Sequence, residues 1–90
     1  MAKTKSGFEF ELDEEVRDDM ELLENLTKLD KGDMTYMSDV ITGLLGEEQK
    51  KALYEHCRSP KGRVRASKVM EELKSIFETL NEMEHPVKNS

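Results

Sequence analysis

A mostly α fold, a compact bundle of about four helices with a short N-terminal extended arm, is predicted by three features of the sequence. Apolar residues recur at three- and four-residue intervals in four separate segments. Glycine- or proline-bearing turns separate those segments, at Asp30-Lys31-Gly32-Asp33, Gly46 and Ser59-Pro60-Lys61-Gly62. Strict apolar/polar alternation occurs once, in Gly7-Phe8-Glu9-Phe10-Glu11-Leu12. At 90 residues the chain is one domain with one modest core. Residues 1–6 read as a disordered polar tail, 7–84 as the helical domain and 85–90 as a second tail.

The alternating arm has no hairpin partner adjacent in sequence. A strand must satisfy its backbone groups, so the arm is expected to pair with Arg63-Val64-Arg65 or with another chain. Asp13 stands where an N-cap belongs, followed by Glu14 and Glu15. Val16, Met20, Leu23, Leu26 and Leu29 then form the expected apolar stripe of a first helix. Met34, Met37, Val40, Ile41, Leu44 and Leu45 predict a second, ending at Gly46, with Gly43 a weak point inside it. Glu47-Glu48-Gln49 opens a third, with Ala52, Leu53, His56 and Cys57 at its apolar positions. The fourth is the most regular, with Val69, Leu73, Ile76, Phe77, Leu80 and Met83 in phase and Pro86 beyond its end.

Charge is plentiful and uneven. Charged residues make up 38% of the chain, against about 25% in ordinary domains, and the net charge is −6. Eleven acids and three bases fall between Glu9 and Asp33, whereas Gln49–Lys68 holds seven bases and the single acid Glu55. Such polarity suits steering or head-to-tail association. Overall acidity, with Tyr54 alone among the aromatics of the basic stretch, speaks against a nucleic-acid binder. One cysteine, Cys57, excludes an internal disulfide and fits a reducing compartment. No apolar run reaches the ~18 residues of a membrane span, and the start has no signal-peptide pattern, so a cytoplasmic protein is expected.

Chemistry-bearing motifs are missing. His56 and Cys57 are adjacent on a helix and point about 100° apart, His85 lies in the tail, and no CxxC or HxxxH spacing occurs. The acids from Asp13 to Glu21 read as a solvated helix face, and Asp30–Asp33 lacks the alternating acids of a calcium loop. Gly43 and Gly46 build no phosphate-binding loop. The expectation is a non-enzyme with no catalytic residue, no metal and no cofactor. Methionines, adaptable in shape, are the residues to watch for partner binding.

Several segments in order carry a family resemblance. They are Gly7-Phe8-Glu9-Phe10 before an acidic helix, Leu44-Leu45-Gly46-Glu47-Glu48-Gln49, Gly62-Arg63-Val64, Val69-Met70-Glu71-Glu72-Leu73 with Ile76-Phe77-Glu78, and the terminal Lys88-Asn89-Ser90. Together they resemble the tail assembly chaperone-like proteins of long-tailed bacteriophages and prophages, with Arg65 where that pattern often has proline. The resemblance implies a non-enzymatic chaperone that binds the tape measure protein, assists tail-tube polymerisation and leaves the finished particle. Tape measure protein and tail tube protein would be its partners, and homo-oligomers are expected. Phe8, Phe10, Leu12, Met34, Met37, Leu44, Leu73 and Phe77 are the predicted protein-binding residues, with Phe8 and Phe10 supplying subunit contact. A small adaptor docking on a host or phage protein is the alternative.

Overall fold

The computed structural model describes residues 1–84, and Pro86, His85 and the predicted C-terminal tail lie outside them. The N-terminal residues fold back at once. Thr4 and Gly7 close a tight turn, with the Gly7 amide donating to the Thr4 carbonyl at 3.0 Å. The turn pairs strand β1 (Ala2–Lys3) antiparallel with β2 (Glu9–Phe10), Ala2 opposite Phe10 and Lys3 opposite Glu9. Within the chain, the partner of the alternating arm is therefore its own N-terminal segment and not Arg63–Arg65. Two residues too polar to signal a strand suffice, because the turn fixes the register. Alternation works as predicted: Phe8 and Phe10 point inward and are buried, Glu9 and Glu11 outward.

Asp13 does cap a helical turn, accepting from the Glu15 amide, but this is a short 3₁₀ segment, Glu14–Asp18. The first α-helix, α1 (Met20–Asp30), starts afresh from Asp19, whose carboxylate accepts from the Leu22 amide at 3.0 Å. This restart changes the buried face. Leu22 is 2% exposed and Leu26 and Leu29 pack against the core, while Met20 and Leu23 are 66% and 47% exposed. The predicted stripe thus keeps Val16, Leu26 and Leu29 and exchanges Met20 and Leu23 for Leu22. Loss of the second cap in Asp19→Ala is expected to cost about 1 kcal/mol, measurable by urea denaturation.

After a 3₁₀ turn at Met34–Tyr36 comes α2 (Met37–His56), so the described residues form three α-helices where four were expected. The predicted second and third helices are the two halves of α2. Gly46, with φ 79° and ψ 168°, is non-helical and divides α2 into two helical segments across a kink, at the place where the sequence ends its second helix. The Gln49 side chain bridges the break by donating to the Leu45 carbonyl at 2.9 Å. The same amide donates to the Glu11 carbonyl at 2.8 Å and accepts from the Glu11 amide at 2.7 Å. Gln49 therefore stands in for a strand residue and holds the chain after β2 against the kink. Gly43 fits where α1 crosses α2, since a Cβ there would lie 3.0 Å from Leu22 Cδ1. Its low helix propensity is offset by that close approach.

Beyond His56 the turn at Ser59–Gly62 forms as the sequence predicts. The Gly62 amide donates to Ser59, and Arg58 and Val64 make a single antiparallel bridge. Helix α3 (Ala66–Glu84) then returns, burying Val69, Leu73 and Ile76 with Phe77 and Leu80 partly covered. The core joins these to Phe8, Phe10, Val16, Leu22, Val40, Ile41, Leu44, Leu45, Leu53 and Cys57. Among the described residues no helix is long and apolar enough to cross a membrane.

Candidate partner-binding groove

Helices α1 and α3 both flank α2, and the space between them is open. One groove of about 430 Å³ is lined by Leu29 of α1, Met34 and Met37 before and at the start of α2, and Met70, Leu73, Lys74, Phe77, Glu78 and Asn81 of α3. A second, of about 490 Å³, runs along Leu22, Leu23, Leu26 and Thr27 of α1 and meets the first at Phe77 and Asn81. Met34 and Met70 are half-exposed, at 49% and 48%, on opposite walls. Lys28 fixes the first wall, its Nζ 3.4 Å from the Tyr36 hydroxyl and 4.6 Å above the Tyr36 ring, which ties the 3₁₀ turn to α1. The floor is buried: Leu73 is 3% exposed. Flexible thioethers above a fixed aliphatic floor can adapt to varied apolar side chains.

The predicted binding residues divide sharply. Met34, Met37 and Phe77 come together at this groove, with Leu73 beneath them. Phe8, Phe10 and Leu44 are core residues of the single chain, and Leu12 is half-buried against that core. Phe8 and Phe10 stack on one another, ring centroids 6.2 Å apart, and both are buried within the single chain. Leu29 and Met70 complete the groove. Their helical spacing was visible in the sequence, but which face of α1 turned inward was not.

A polar cluster on the hairpin side had no sequence signal. The buried Glu72 carboxylate accepts from the Thr4 hydroxyl at 2.6 Å and from the Ser6 hydroxyl at 2.7 Å. Ser6 Oγ lies 2.8 Å from His56 Nε2, and the imidazole packs against the Phe8 ring. Having given its proton to Glu72, Ser6 accepts from His56 Nε2–H. Glu72 thus holds the serine hydroxyl, and the serine oxygen in turn meets the imidazole. The arrangement fastens the hairpin to α3; it lacks the polarity of a nucleophile–base pair. Burial, with the nearby Glu72 charge, pushes the Cys57 thiol up, away from a reactive thiolate. Among the described residues no three His, Cys, Asp or Glu side chains are placed to hold a metal.

Three bases of the basic stretch have local partners. Arg58 pairs with Glu55 at 2.7 Å and donates to the Gly62 carbonyl, Lys68 lies 3.8 Å from Glu71, and Lys50 reaches Ser38 and Thr42. Comparison with protein-family models, curated proteins and solved structures finds no significant match to this chain.

Proposed function

We propose that the chain is a non-enzymatic tail assembly chaperone that shields an apolar helical segment of a phage tape measure protein while tail-tube subunits assemble around it. The methionine-walled groove between α1 and α3 is the observation that supports the reading. It offers apolar surface with no exposed strand edge lining it, which suits helix-in-groove recognition. The identity of the partner rests on the sequence resemblance.

Co-expression tests it. The soluble fraction of the tape measure protein should rise several-fold with the wild-type chain and fall back with Met34→Glu combined with Met70→Glu. Both side chains are half-exposed, so the double variant should fold with a stability change of about 1 kcal/mol or less. Equal solubility with and without the wild-type chain, at matched expression, would refute the proposal.

A further inference from the structure

The turn that joins α2 to α3 leaves both charge and backbone groups unpartnered. From His56 to Met70 the chain carries five bases, Arg58, Lys61, Arg63, Arg65 and Lys68, and no acid. Arg58 is paired with Glu55, and Lys68 lies near Glu71. Among the described residues the side chains of Lys61, Arg63 and Arg65 have no partner, and all three residues are exposed.

The backbone between the two arginines is extended, with Val64 bridged antiparallel to Arg58. Two bonds flank that bridge. The Ser59 amide donates to the Arg63 carbonyl at 2.7 Å, and the Arg65 amide donates to the Cys57 carbonyl at 3.0 Å. A residue placed between two such bonds turns its own N–H and C=O to the opposite edge. Val64 therefore presents one donor and one acceptor outward, and among the described residues neither has a partner. Its side chain packs against the core. By strand alternation Arg63 and Arg65 project together from the other face, roughly 7 Å apart along the chain.

These features restrict the ligand. One residue of an antiparallel strand can exchange both bonds with Val64, and its two neighbours then stand opposite Arg63 and Arg65. A phosphate backbone offers acceptors only and cannot satisfy the Val64 carbonyl, which, with a net charge of −6, weighs against nucleic acid. The chain's own alternating acids are engaged in the hairpin, Glu9 opposite Lys3 and the Glu11 amide on Gln49.

We propose that the Arg63–Arg65 edge captures an extended acidic segment of a partner protein, with carboxylates at alternate positions, by adding it as an antiparallel strand. The Val64 backbone sets the register, and the two guanidinium groups select carboxylates. This surface is separate from the methionine-walled groove and does not depend on it.

Fluorescence anisotropy on the full chain at low salt tests it with four labelled probes. They are a peptide centred on Thr-Glu-Val-Glu-Thr, the same peptide N-methylated at the valine, its lysine-for-glutamate counterpart, and a single-stranded oligonucleotide of matched net charge. The glutamate peptide should saturate and bind about tenfold or more tighter than each of the others, weakening as salt rises. Its binding should also slow hydrogen exchange at the Val64 amide. Arg63→Ala with Arg65→Ala should weaken it about tenfold without lowering Tm. Arg63→Glu with Arg65→Glu should transfer the preference to the lysine peptide, an exchange that loss of folding cannot produce. No saturable binding of the glutamate peptide, undiminished binding of its N-methylated form, or equal binding of the oligonucleotide would overturn the proposal.

Discussion

Phe10→Ala is expected to destabilise the fold by about 3–5 kcal/mol, the usual cost of emptying a fully enclosed aromatic site. Phe10 is 0% exposed, is stacked on Phe8 and lies on the strand that pairs with Ala2–Lys3. A domain of this size has a total stability of about 5–13 kcal/mol, so the single change removes a large share. Thermal unfolding should show it as a fall in Tm of at least about 12 °C. The contrast that matters is with a subunit-contact role. An aromatic held between chains would, on truncation, shift sedimentation toward smaller species and leave the monomer's Tm near the starting value. An unchanged Tm would show that the hairpin contributes little to the core.

Gly46→Ala should be the costliest of the glycine substitutions, by about 1–3 kcal/mol, although nothing lies within 4 Å of where its Cβ would stand. The penalty is purely conformational. With φ 79° and ψ 168°, Gly46 occupies a region that L-residues essentially do not enter. Substituting D-alanine by semisynthesis separates the two explanations, since the mirror-image residue accepts that backbone geometry. L-alanine should lower Tm and the D-residue should leave it near the wild-type value. Equal losses from both would mean that the added methyl itself, not the backbone angle, causes the damage. The kink matters because it places Gln49 where it reaches both Leu45 and Glu11.

How much of this could be read from the sequence depended on whether the deciding interaction was local. Helix α3 was legible because Val69, Leu73, Ile76, Phe77 and Leu80 leave only one phase for an apolar face. Helix α1 was legible only in part: Leu26 and Leu29 fall on the buried face as expected, but Leu22 stands where Met20 and Leu23 were expected. The cap at Asp19, rather than Asp13, decided between them. The break at Gly46 was legible, but the Gln49 side chain that spans the kink is not announced by composition. The hairpin was the least legible element. Ala2–Lys3 has no strand signature, and the hydroxyls of Thr4 and Ser6 are anchored by Glu72, which is distant in sequence. Of the groove, Met34, Met37 and Phe77 were anticipated as binding residues; assigning Phe8, Phe10 and Leu44 to the core required knowing what folds over them.

The fastening of the hairpin to Glu72 also sets an order of events during synthesis. The two phenylalanines are made before the carboxylate that secures their turn, which follows 62 residues after Phe10. At ordinary elongation rates of 5–20 residues per second, that interval is roughly 3–12 s. Throughout it the nascent chain carries Phe8 and Phe10 without α3 to cover them, and the fold closes only when its last helix emerges.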